Sequence, residues 1–184
     1  MTRAEPFAVW LTGLPGSGKT AIARELLALL HARGIDCAHL ESDVLRTQLT
    51  PFPKYDEAER DRFYASLSYL GTFLVESGQS VLFDATANRR AYRNLPRRAI
   101  PRFCEVYVDT PPGVCAARDP KGLYRLAREG RIASLPGAQA GYEAPIAPEV
   151  TVSGANGGAA EAARSIVAWL ERAGWIDPLR AQAA

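Results

Sequence analysis

Eight residues restrict this chain more than any others. Gly13-Leu14-Pro15-Gly16-Ser17-Gly18-Lys19-Thr20 fits the pattern G-x-x-x-x-G-K-[ST]. It lies between a short apolar run, Phe7 to Thr12, and a stretch from about Lys19 to Arg33 in which Ile22, Leu26, Leu27, Leu29 and Leu30 form an apolar stripe. This order predicts a buried strand, a glycine-rich turn and a helix stopped at Gly34. In such a setting backbone N–H groups curl around an anion, and the helix N-terminus adds a favourable dipole. Gly13, Pro15, Gly16, Ser17 and Gly18 are expected to form the cradle, Lys19 to reach the β- and γ-phosphates of a nucleotide, and the Thr20 hydroxyl to ligate Mg²⁺. The motif leaves open whether water, a protein or a small molecule accepts the phosphate.

The alternation that begins here continues. Cys37 to Glu41 reads as a second strand, Asp56 to Ser77 as a long helix, and Ser80 to Ala85 as a third strand. Ala91 to Ile100 reads as a basic helix interrupted by Pro96, followed by a strand at Phe103 to Val108 and a short helix at Pro112 to Ala117. Glu149 to Val152 suits an edge strand, and Ala159 to Arg172 a closing amphipathic helix. Strands alternating with helices mean an α/β fold with a parallel sheet of five strands, and ligands at the C-terminal strand ends. Residues 119–148 carry many Gly and Pro positions and little periodicity beyond a helical turn or two at Leu123 to Arg128. A connection that long is usually functional.

Composition narrows the class. The chain has 184 residues, 47% hydrophobic and 23% charged, with a formal net charge of +2. That suits one globular domain across residues 1–184 and argues against disorder or a basic tail for nucleic acid. Cys37, Cys104 and Cys115 are too dispersed for a zinc site or a disulfide framework, so a reducing cytoplasm is expected. No run approaches the roughly 18 apolar residues of a membrane span.

Beyond the cradle, Asp43 follows the second strand and is expected near the phosphate end of the sheet. There it accepts a proton from an attacking hydroxyl, holds a Mg²⁺-bound water, or merely caps a helix at Val44 to Leu49. Arg46, one helical turn on, shares its face and points to a second anionic ligand. Asp84, at the end of the third strand in Phe83-Asp84-Ala85-Thr86, either assists Mg²⁺ through water, fixes Arg46 or Arg90, or caps a loop. Arg93, Arg97, Arg98 and Arg102 read as a solvated basic helix face.

The phosphate loop, the step Asp43-Val44-Leu45-Arg46 and the stretch Arg118-Asp119-Pro120-Lys121-Gly122-Leu123-Tyr124 with its downstream Tyr142-Glu143-Ala144-Pro145 together resemble the adenylylsulfate kinase family. The resemblance runs from about Phe7 to Leu170. It implies a P-loop kinase fold with a mobile lid at about residues 118–148, and transfer of the γ-phosphate of ATP, with Mg²⁺, to the ribose 3′-hydroxyl of adenylylsulfate. By position, Lys19, Asp43 and Lys121 would be catalytic, and Arg118 would join the cradle in binding ATP. Arg46, Tyr55, Arg60, Arg90, Lys121 and Leu135 would sit with Asp43 around the acceptor. The resemblance also implies a homodimer; Phe63, Tyr64, Leu67, Leu70 and Phe73 suffice for core and interface together, or for core alone.

The departures lie on the acceptor side. Phe63 stands where the family commonly has an asparagine, and Ala85-Thr86-Ala87-Asn88-Arg89-Arg90 replaces Phe-Ile-Ser-Pro-Tyr-Arg, so no phosphoserine can form at Ala87. Leu135-Pro136-Gly137 replaces Phe-Thr-Gly and removes an aromatic expected to stack on adenine. Stacking is worth about 1–3 kcal/mol, so Leu135 alone does not exclude adenylylsulfate. Two rival readings follow: a kinase for another nucleotide anhydride, such as a cytidine diphosphate or diphosphoramidate derivative, and a nucleotide-binding module without turnover.

Overall fold

Every residue of β1 (Ala8–Thr12) is buried, as expected of a strand without polar alternation covered on both sides. In the computed structural model, which describes residues 5–53 and 56–179, β1 is the centre of a five-stranded parallel sheet. The other strands are β2 (Cys37–Glu41), β3 (Ser80–Asp84), β4 (Phe103–Asp109) and β5 (Val150–Ser153), in the order β2-β3-β1-β4-β5. Strand alternation divides the core in two. Val9 and Leu11 face Ile22, Leu26 and Leu30 of α1 (Lys19–His31) and Ile166 and Leu170 of the last helix, Gly158–Arg172. Ala8 and Trp10 face the other way, and the Trp10 ring stacks on Phe83 at 4.5 Å.

The remaining helices follow in chain order: α2 (Ser42–Leu49), α3 (Glu57–Glu76), α4 (Arg90–Ala99), α5 (Pro112–Arg118) and α6 (Leu123–Arg128), with Gly158–Arg172 as α7. Asp56 starts α3 by accepting a hydrogen bond from the Glu59 N–H at 2.8 Å, an ordinary N-cap. Phe63, Tyr64 and Leu67 of α3 are buried in the second core cluster, while Phe73 is 54% exposed. The core therefore accounts for the first three of these residues.

Two sequence expectations change. Pro96 lies inside α4 without interrupting it. The basic strip is a solvated face only in part: Arg98 is exposed, but Arg93 is fully buried, paired with Glu105, and donates to the carbonyls of Ala87 and Glu143. Arg97 bridges Glu105 and Glu149. A burial-blind reading of spacing misses this because the partners arrive from β4 and the residue before β5. Among the described residues, no helix is long and apolar enough to cross a membrane.

Candidate active site

The chain leaves β1 at Thr12 and must turn tightly to begin α1 at Lys19. Gly16 takes φ +78°, and a Cβ there would stand 2.8 Å from the Cys115 carbonyl, so both conformation and space demand glycine. The Ser17 N–H closes the turn on the Leu14 carbonyl at 3.1 Å. Ser17 Oγ is buried and without a hydrogen-bond partner among the described residues. That unsatisfied hydroxyl lies beside Gly13 within the turn.

Lys19 is 9% exposed, and its Nζ donates to the Gly13 and Leu14 carbonyls, both at 3.0 Å. Burial lowers its pKa, opposed by the charges of Asp84 and Asp43. The ammonium is thus stored at the mouth of the cradle on groups that a phosphate can displace.

Acids gather where β2 and β3 end. Glu41 is in register with Asp84, and both line a cleft of about 550 Å³ with Lys19, Thr20, Asp43, Arg118 and Lys121. Asp84 is 3% exposed. Burial would raise its pKa, but His39, Lys19 and Thr20 beside it hold the carboxyl below its ordinary value. Oxygen donors from Thr20 and Asp84, which line the same cleft, fit a hard cation such as Mg²⁺.

Asp43 stands in the first turn of α2, with Glu41 at the N-cap position, so the capping reading of Asp43 fails. Its Oδ2 accepts from Lys121 Nζ across the cleft. Burial acts to lower the Lys121 pKa, but Asp43 more than offsets this and holds it above the ordinary lysine value.

A second pocket of about 160 Å³ opens beside the first and is lined by Arg46, Arg60, Tyr64, Asn88, Ile132 and Leu135. Pro15, Ser42, Asp43, Thr86 and Leu123 line both spaces. Arg46 donates to Glu59 at 2.8 Å and its guanidinium lies 3.9 Å over the Phe63 ring. The segment 118–148 is strapped across: Tyr124 Oη donates to the Pro15 carbonyl at 3.0 Å, Arg60 to the Ser134 hydroxyl at 3.0 Å, and the Glu143 N–H to the Asn88 carbonyl at 2.8 Å.

Comparison with known proteins decides what this arrangement is. Residues 5–153 match the family model described as adenylylsulphate kinase. The chain belongs to the adenylylsulfate kinase family. It is 34% identical to an adenylyl-sulfate kinase of Shewanella sp. (strain ANA-3) over 97% of this chain and 88% of that one. It is 40% identical to the enzyme of Microcystis aeruginosa over 77% and 78%. Among solved structures, the Mycobacterium tuberculosis APS kinase CysC in complex with AMPPNP and APS superposes with a TM-score of 0.85 at 33% identity, over 91% of this chain and 98% of that one. As an adenylylsulfate kinase family member, the protein is an ATP-dependent phosphotransferase with an alcohol acceptor.

Most of the residues expected from sequence converge in these two pockets. Pro15, Gly16, Gly18, Lys19, Thr20, Asp43, Arg118 and Lys121 line the larger, and Asp43, Arg46, Arg60 and Leu135 the smaller. Gly13 and Ser17 form the floor of the turn. Arg90 does not converge: its Nε donates to the Ala144 carbonyl at 2.7 Å and its N–H to Glu143 at 2.8 Å, which ties the end of the lid to α4. Tyr55 lies outside the described residues. Asp84 fixes neither Arg46 nor Arg90, which are engaged elsewhere. Sequence reasoning missed Glu41, Tyr64, Thr86 and Asn88; strand alternation in β2 was the one signal that could have found Glu41.

Proposed function

We propose that the protein transfers the γ-phosphate of Mg-ATP to the ribose 3′-hydroxyl of adenylylsulfate, giving 3′-phosphoadenylylsulfate, in the cytoplasm. The carrying observation is that Asp43 lines both pockets. A nucleotide seated on the cradle and an acceptor held by Arg46 and Arg60 meet at that carboxylate. Asp43 orients the attacking hydroxyl and accepts its proton at an Oδ atom. Lys19 leaves the Gly13 and Leu14 carbonyls for the phosphate, and Lys121 with Arg118 adds positive charge from the lid as it excludes water. Thr20 and Asp84 would hold Mg²⁺, which when bound neutralises phosphate charge; Asp43, engaged by Lys121, is the less direct holder.

The lid, about residues 118–148, opens for exchange by releasing the contacts of Lys121, Tyr124 and Arg60. One observation favours a second acceptor. Leu135 and Ile132 give the smaller pocket aliphatic walls where an aromatic was expected to stack on adenine, leaving Tyr64 as the ring among its lining residues, which suits a cytidine diphosphate or diphosphoramidate derivative as well. The exposed Tyr69 and Phe73 on α3 are the surface on which a homodimer would form. Steady-state ATP consumption with adenylylsulfate, AMP and cytidine diphosphate derivatives tests the reading. Selective stimulation by adenylylsulfate supports it, and selective stimulation by a cytidine derivative replaces it with the second acceptor. Turnover with none leaves a binding module.

A further inference from the structure

The kinase reading uses one face of Asp84 and leaves His39 without a task. Alternation along β2 places His39 and Glu41 on the side of the sheet that carries α1, and the register of β2 on β3 sets Glu41 beside Asp84. One imidazole nitrogen and one oxygen from each carboxylate lie within 4.8 Å of one another. His39 Nε2 and Asp84 Oδ2 are both buried without a hydrogen-bond partner among the described residues, and at 3.8 Å they are too far apart to satisfy each other. Two such buried atoms facing one another without partners are costly unless something sits between them.

We propose that His39, Glu41 and Asp84 form a protein-held divalent-cation site that takes a first-row transition ion, with Mn²⁺ as the test case, before any nucleotide arrives. A single cation satisfies both orphaned atoms at once. The donor set decides the class: carboxylates alone suit Mg²⁺, while an added imidazole shifts preference toward softer first-row ions. Three protein donors leave positions for water, and because Glu41 and Asp84 line the large cleft, an ion has a path in. Such an ion adds positive charge beside Lys19 and Thr20 that does not travel with the nucleotide. The inference does not rest on the identity of the acceptor.

The test is Mn²⁺ titration of tag-free, nucleotide-free protein in Mg²⁺-free buffer, followed by continuous-wave and pulsed EPR. The chain has only two histidines, His31 and His39, so an imidazole ¹⁴N modulation on bound Mn²⁺ has two sources to separate. The expected result is one bound ion per chain with ¹⁴N modulation that survives His31→Gln and disappears in His39→Gln. Affinity should fall at least about tenfold in His39→Gln, and also in Glu41→Gln, which guards against a folding defect in either variant. No bound Mn²⁺ without nucleotide, bound Mn²⁺ without ¹⁴N modulation, or modulation that persists in His39→Gln would each overturn the proposal.

Discussion

Lys121 of the lid and Asp43 of α2 are joined by an ion pair across the cleft where the two pockets meet, with both side chains about half exposed. An exposed pair contributes about 0–1 kcal/mol to stability, so stability is a minor part of what the pair does. Lys121→Ala and Asp43→Asn should each leave the melting temperature within a few degrees of the parent and lower turnover by about two orders of magnitude. Parallel thermal melts and steady-state rates check this; a large fall in melting temperature with little loss of rate would make the pair structural.

Lys19 differs because it is buried on two carbonyls. Lys19→Ala removes the donor that moves to the phosphate and should reduce turnover by about two to three orders of magnitude, the loss typical of one strong electrostatic donor. Single-turnover measurements with saturating ATP isolate that step from binding.

The ion pair of Arg46 with Glu59 is enclosed, at 13% and 8% side-chain exposure. Removing one member of such a pair typically costs about 3–5 kcal/mol. Glu59→Ala should therefore destabilise the fold measurably and, by releasing Arg46 from its seat over Phe63, raise the KM of the acceptor more than that of ATP. Denaturant unfolding together with the two KM values tests both parts.

Gly71 of α3 sits against the Phe83 ring, where a Cβ would fall 2.0 Å from a ring atom. Alanine gains about 1 kcal/mol of helix propensity over glycine, while overpacking a core costs about 1–3 kcal/mol. Gly71→Ala should accordingly destabilise the protein with activity per folded molecule unchanged, as read by chemical denaturation.

Glu149 gives a pH signature. Burial pushes its carboxyl up, but Arg97 and the Glu105 N–H outweigh this and hold it below its ordinary value of 4.5. A depressed carboxylate stabilises the fold above the unfolded value, and that contribution disappears as pH falls through the folded one. Stability should drop below about pH 4.5, and Glu149→Gln should flatten that acid limb in melts taken from pH 3 to 7.

The sheet, its helices and the cradle were legible in the sequence because each has a local signature. β2 and α6 fall at the residues that alternation and periodicity indicate, and the glycines of the cradle have no other reason to precede Lys19 and Thr20. What spacing could not show depends on partners distant in the chain. Arg93 reads as surface until Glu105, Ala87 and Glu143 close around it, and Arg90 reads as a ligand-binding arginine until Ala144 takes its Nε. Leu135 reads as a weakened stacking residue, yet it is also 4% exposed and packed with Leu14, Cys115 and Tyr124. It therefore anchors the lid as well as lining the pocket.

The proposed meeting of donor phosphate and acceptor hydroxyl at Asp43 is open to one decisive measurement, following the label from γ-³²P-ATP in the presence of adenylylsulfate. Label should appear on the ribose 3′-oxygen as 3′-phosphoadenylylsulfate in the parent protein and be nearly lost in Asp43→Asn. Label released only as inorganic phosphate, at a rate indifferent to adenylylsulfate, would contradict it.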